Sequence, residues 1–293
     1  MMKKLLFLLP LLLAACGTGS REPLFTPGTG CVPYACDGPF AGDTIGIYYH
    51  VPEGYDVASM PVQFVIAGMN RNADKYRDDW VAKADEYGFI LLVPDLDEEH
   101  FPERVYQQGA VQDEAGGFNA PEDRVYPLVD KVFRFFLENS RSRARGYNIY
   151  GHSAGGQFVH RFALFHDSPY AERMVAANAG WYTFPSDTAD YPYGIAVVGP
   201  RDGIDPAAYY HKQLTVLLGD ADTLRTSNLR QTPEADAQGL TRLARGKRFF
   251  SWCRADAARR NAAFNWKLHL VPGVGHSNPK MGPAAADYLY GGD

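Results

Sequence analysis

Cysteine is scarce in this chain, basic residues are in deficit, and no apolar run is long enough to span a bilayer. Each shortage removes a class of function. Lys and Arg number 29 against 34 Asp and Glu, for a formal net charge of −5, and they form no basic stripe interleaved with aromatics. A nucleic-acid partner is therefore not expected. The four cysteines and eight histidines nowhere reach a spacing that would complete a zinc site; no metal is expected either. No internal repeat is present, so a solenoid is excluded. The most apolar stretch, Leu5 to Ala15, is interrupted at Pro10 and is too short for a transmembrane helix.

What stands at the start is an export signal. A basic Met1-Met2-Lys3-Lys4 precedes the short apolar block. The block ends in Leu13-Ala14-Ala15-Cys16, which resembles the bacterial lipobox. That resemblance implies removal of residues 1–15 and lipidation of Cys16. Gly17, where an Asp would signal inner-membrane retention, resembles the pattern sorted to the outer membrane. The expectation is an exported, outer-membrane-anchored lipoprotein. Residues 16–39, rich in Gly, Thr, Ser and Pro at their beginning, read as a lipidated N-terminus and flexible linker. In an oxidising compartment Cys31 and Cys36 form a candidate disulfide, with pairing of either to Cys253 the alternative.

From residue 40 to 293 strand and helix patterns alternate, which indicates a single α/β domain. Apolar, β-favouring runs lie at 44–51, 61–67, 89–93, 147–152, 174–179, 214–218 and 264–271. Helical spacing recurs at 73–87, where Tyr76, Trp80 and Ala84 share a face, and again from 119 to 136, where Pro127 is expected to kink the first turns. The run 147–152 leads into Gly151-His152-Ser153-Ala154-Gly155, and a helical pattern follows at once. G-x-S-x-G between a strand and a helix is the nucleophile elbow. Small flanking residues let the chain turn tightly enough to lift the Ser hydroxyl clear of the sheet.

Two further turns complete a chemistry. Gly219-Asp220-Ala221-Asp222 follows one strand, and Pro272-Gly-Val-Gly275-His276 follows the last. With these motifs the chain resembles the α/β-hydrolase superfamily over nearly its whole mature length. The tail before His276 and the run Gly68-Met-Asn-Arg-Asn-Ala73 resemble secreted bacterial esterases and the polyhydroxyalkanoate-depolymerase branch. The resemblance implies a mostly parallel, twisted central sheet with helices on both faces, and a Ser…Asp…His order. It needs no cofactor.

The catalytic candidates are thus Ser153, Asp222 and His276. Asp220 and Asp95 are alternatives for the acid, Asp220 having the competing use of fixing its own turn. The oxyanion hole takes one N–H from Ala154 and a second from the loop after Ala67, where the family usually has His-Gly. Here Gly68 is kept without the His, and Met69 is the candidate, with Asn70 as its alternate. The other histidines read as structural; His160 and His166 are expected to be partly exposed on the helix after Ser153. Tyr106, Phe118, Trp181 and Tyr182 lie on loops at the carboxyl edge of the sheet and are the pocket candidates. Small or polymeric esters are the expected substrates. A serine peptidase on the same fold and a non-catalytic surface-binding lipoprotein are the other readings.

Overall fold

The computed structural model describes residues 22–292; the stretch read as an export signal, Cys16 and the beginning of the stretch read as linker lie outside them. The chain runs β1 (Gly28–Ala35), β2 (Thr44–Val51), β3 (Val62–Ile66), α1 (Ala73–Tyr87), β4 (Ile90–Pro94), α2 (Glu103–Tyr106), α3 (Pro127–Glu138), β5 (Tyr147–His152) and α4 (Ala154–Phe165). It continues through β6 (Ala171–Ala177), α5 (Val198–Asp202), α6 (Pro206–His211), β7 (Leu214–Gly219), α7 (Pro233–Gln238), α8 (Arg242–Arg259), β8 (Lys267–Val271) and α9 (Asn278–Tyr290). The strands form one sheet in the order β1-β2-β4-β3-β5-β6-β7-β8. β1 and β2 enter antiparallel, and every pairing from β4 to β8 is parallel. This is the α/β-hydrolase arrangement that the motifs imply.

Helices on both faces explain why β3, β4, β5 and β7 are buried along their whole length and read as near-continuous apolar runs. Under α1 and α9 the core contains Trp80, Phe89, Tyr150, Leu217 and Met281. Trp80 is fully buried against Phe89 and Tyr150, a packing residue and nothing more. On the other face Phe133, Phe158, Phe162 and Phe249 pack between the sheet and α3, α4 and α8. Every residue of α4 is buried, so the helix presents no face to solvent. His160 lies wholly inside rather than partly exposed, whereas His166, just past the helix end, keeps the partial exposure expected of it.

Three local expectations need correction. The sheet begins within the stretch read as linker: Gly28 to Ala35 pair along the whole of β2. Their Gly, Pro and Cys content hides a strand because it sits at the sheet edge, where few ladder bonds are demanded. That strand also rules out a Cys31–Cys36 bridge. Five residues of extended chain separate the two Cα atoms by about 16 Å, more than twice what a disulfide spans. All three described cysteines are free. Cys253 sits on α8, which packs on β7 at the far side of the sheet, out of reach of both. Finally, Pro127 does not kink a helix already under way. It occupies the first turn of α3, where its missing N–H costs nothing.

Candidate active site

β5 ends at His152, α4 begins at Ala154, and Ser153 between them has φ 59° and ψ −112°. A side chain held at positive φ is strained, and the surroundings must enforce it. They do so by crowding. A Cβ on Gly155 would lie 2.1 Å from the Ile66 carbonyl oxygen, and one on Gly151 would lie 2.1 Å from the Gly155 oxygen. The Ser153 N–H donates to the Ala177 carbonyl at 2.9 Å and pins the turn to β6.

The loops after β7 and β8 are laced together beside this turn. The Ala221 N–H donates to the Val274 carbonyl at 3.0 Å. A Cβ on Gly219 would fall 2.2 Å from that same oxygen, so only Gly permits the approach. The lacing delivers a continuous hydrogen-bonded chain. His276 Nε2 lies 2.9 Å from Ser153 Oγ, and His276 Nδ1 lies 2.8 Å from Asp222 Oδ2. Asp222 is 2% exposed and is shielded from water that would compete for the imidazole. In this geometry an imidazole can take a proton from the hydroxyl while the carboxylate stabilises the cation formed.

The other two carboxylates have different work. Asp220 Oδ1 accepts the Gly273 N–H at 2.6 Å, fixing the turn. Asp95 directly follows β4, which β3, β5 and β6 separate from β7, and its N–H is on the Gly46 carbonyl.

A cavity of about 390 Å³ opens over Ser153, lined by Met69, Ala154, Gln107, Gln157, Trp181 and Arg230 among others. Ala154 is the first residue of α4, where an N–H has no partner within the helix. Neither its N–H nor that of Met69 has a hydrogen-bond acceptor among the described residues. Both residues border the space above the hydroxyl.

Of the four aromatic pocket candidates, only Trp181 lines this cavity. Tyr106 is buried, donates to the Ala67 carbonyl at 2.6 Å and carries the Arg71 guanidinium on its ring, so it braces the loop that holds Met69. Tyr182 is fully buried and stacks on Phe249. Phe118 packs on the core beneath Arg201. Loop position alone does not distinguish an aromatic that faces the cavity from one that faces the core.

Several site residues are not evident from the sequence pattern. The Arg161 and Arg230 guanidiniums both lie over the Trp181 ring, 4.1 and 4.6 Å from its centroid. Arg230 pairs with Glu103 at 3.0 Å, whereas Arg161 is wholly buried on carbonyls and a hydroxyl, with no carboxylate partner among the described residues. Asn178, buried at φ 44°, accepts the Gly219 N–H at 2.9 Å and donates to the Gly275 carbonyl at 3.2 Å, tying both loops to β6. An Asn directly after a strand is the one signal the sequence offers for it, since Asn tolerates left-handed backbone. His152 packs its ring 4.6 Å from that of His276 and has Tyr76 Oη 3.1 Å from its Nδ1. No cluster of His, Cys, Asp or Glu among the described residues is arranged to hold a metal ion.

Burial pushes His152 and His160 well below the ordinary imidazole range; the charge of His276 adds to this at His152, and that of Arg161 at His160. His160 Nδ1 lies 3.0 Å from the Gly156 carbonyl while its Nε2 accepts the Thr183 N–H, leaving no place for a second proton. Such histidines stay neutral when folded but take up a proton on unfolding below about pH 6.5. Their contribution is therefore intact above that pH. Below it, stability falls by up to about 1.4 kcal/mol per pH unit for each. Urea midpoints measured from pH 7 to 5 should decline, and His160→Gln, which can keep both hydrogen bonds without titrating, should give a shallower decline. An equally steep decline would remove His160 as a source.

Among solved structures, the chain is similar to poly(aspartic acid) hydrolase-1 from Sphingomonas sp. KT-1, with 39% identity over 92% of this chain and 100% of that one and a TM-score of 0.83. It is similar to the poly(3-hydroxybutyrate) depolymerase LpqC from Bordetella parapertussis at 30% identity, over 92% and 91% of the two chains, with a TM-score of 0.86. An S-formylglutathione hydrolase from Agrobacterium tumefaciens, 14% identical over 92% and 97% with a TM-score of 0.58, shares the fold. No protein-family model matches the chain, and neither does any curated protein. The likeness to the first two extends over nearly all of both partners, and the chain belongs to the α/β-hydrolase superfamily, in its polyhydroxyalkanoate-depolymerase-like branch, and is a hydrolase.

Proposed function

We propose that this protein is a serine esterase that cleaves carboxylic esters through an acyl-enzyme on Ser153. The observation that carries the reading is the Ser153–His276–Asp222 hydrogen-bond chain opening on a cavity. Ser153 Oγ attacks the ester carbonyl as His276 Nε2 takes its proton. The N–H groups of Ala154 and Met69 receive the oxyanion. Collapse expels the alkoxide, which takes the proton from His276 and leaves as the alcohol. Water activated by His276 then attacks the acyl-serine and releases the acid and the free hydroxyl. Asp222 holds Nδ1–H throughout. Lipidation at Cys16 would tether the enzyme to the outer membrane with its substrate outside the cytoplasm.

A second reading is favoured by one observation. Two guanidiniums gather on Trp181 beside Ser153, with Glu103 the one carboxylate paired to them among the described residues. An excess of positive charge suits an anionic polymer, and the 39% identical relative is named for poly(aspartic acid). The acyl chemistry would be the same with an amide as the scissile bond.

The test offers the signal-free protein a series of 4-nitrophenyl esters, 3-hydroxybutyrate oligomers and poly(aspartic acid), with a fluorophosphonate probe alongside. Ester turnover with labelling at Ser153 is the expected result. Labelling with cleavage of poly(aspartic acid) alone would move the assignment to the amide. Neither turnover nor labelling would leave a binding protein on a hydrolase scaffold.

A further inference from the structure

Helix α8 opens against its own electrostatics. Its first residue is Arg242, its first turn holds no acidic residue, and Arg242 and Arg245 are both buried there. A cation at a helix N-terminus faces the positive end of the helix dipole, and removing it from water adds a further cost. Burial pulls the Arg242 guanidinium below its usual range, and only the Asp222 charge opposes this. Such a local conflict persists where something else requires the residue.

Arg242 occupies the space between the substrate cavity and the acid. Its Nη1 lies 3.8 Å from Asp222 Oδ1, the carboxylate oxygen not used by His276. Its Nη2 donates to Asn228 Oδ1 at 3.0 Å. Thr226 Oγ1 donates to the same Asn228 oxygen. Two donors on Oδ1 fix the orientation of the amide and leave Nδ2, two N–H groups, without a partner among the described residues. Asn228 is exposed and lines the cavity with Ser153.

We infer that Arg242 is a positioning residue that holds Asp222 against His276 and at the same time orients Asn228, whose amide N–H donates to a carbonyl or carboxylate oxygen of the bound substrate. The inference rests on the serine-hydrolase reading of the site. Substrate held by Asn228 and proton transfer at Ser153 then share one guanidinium.

The experiment measures kcat and KM for 4-nitrophenyl acetate and for a 3-hydroxybutyrate oligomer, together with fluorophosphonate labelling rates and thermal midpoints. Arg242→Gln should lower kcat and the labelling rate about 10- to 100-fold through loss of the cation that faces the Asp222 carboxylate, with KM little changed. Arg242→Lys, which keeps the charge, should recover most of that loss. Asn228→Ala should raise KM for the oligomer several-fold and lower the labelling rate far less than Arg242→Gln does. In an Asp222→Asn background, Arg242→Gln should cost less than about twofold more, because both act through one carboxylate. A full multiplicative loss there, an unchanged labelling rate in folded Arg242→Gln, or an unchanged oligomer KM in Asn228→Ala would overturn the inference. Ser153→Ala is run in the same assay. If it retains turnover, the triad reading has failed and Arg242 is not the cause.

Discussion

Replacing Ser153 with Ala should lower kcat for a 4-nitrophenyl ester by roughly a millionfold, with the protein still folded. Deleting the nucleophile of a serine hydrolase has an effect of this order, equivalent to about 8 kcal/mol of barrier. What remains, a factor of about 10³ to 10⁴ over water, would come from binding and the two oxyanion donors at Ala154 and Met69. The substitution should not destabilise the chain. At 153 the strain resides in the backbone, at φ 59°, and Ala carries the same Cβ as Ser. Labelling by fluorophosphonate should vanish while the thermal midpoint stays level. A variant that retains more than about a percent of activity would remove Ser153 as nucleophile.

Asp222→Asn is the second large effect, and it tests two consequences of burial together. Asn cannot stabilise an imidazolium, and its N–H2 competes for the wrong tautomer at Nδ1. The expected fall in kcat is about 10⁴-fold. Asp222 is also the carboxylate nearest the buried guanidinium of Arg242. Its loss leaves that charge without compensation, a change worth about 3–5 kcal/mol of stability when a buried pair is broken. Asp220→Asn is the control. Asn retains an acceptor for the Gly273 N–H, so activity should stay within roughly twofold. Equal losses in the two variants, read by kcat and urea midpoint, would overturn the assignment of Asp222 as the acid.

Much of the site is legible in the amino-acid order because its requirements are local. A nucleophile elbow needs small residues around Ser153, and the overlaps that a Cβ would make at 151 and 155 show why. The acid turn likewise needs Gly219, whose missing Cβ makes room for the Val274 carbonyl. Strands β3, β4, β5 and β7 announce themselves because helices cover both faces. By contrast β1, an edge strand with Gly and Pro, satisfies weaker demands and reads as linker.

The order Ser153…Asp222…His276, the small residues that allow their turns, and the apolar runs that become the parallel sheet are properties of the sequence by itself. Contacts between distant segments were decided only in the tertiary structure. Which aromatics face the cavity depends on how residues 106, 118, 181 and 182 pack against elements remote in sequence. The guanidiniums of Arg161 and Arg230 meet on Trp181 from two different segments, α4 and the stretch ahead of α7. Arg242 reaches Asp222 because α8 begins where the acid loop returns, with the Leu243 N–H on the Asp222 carbonyl. Turn chemistry and hydrophobic period act over a few residues and leave their mark in sequence. Charge compensation and cavity lining act through space, and nothing in the local pattern records them.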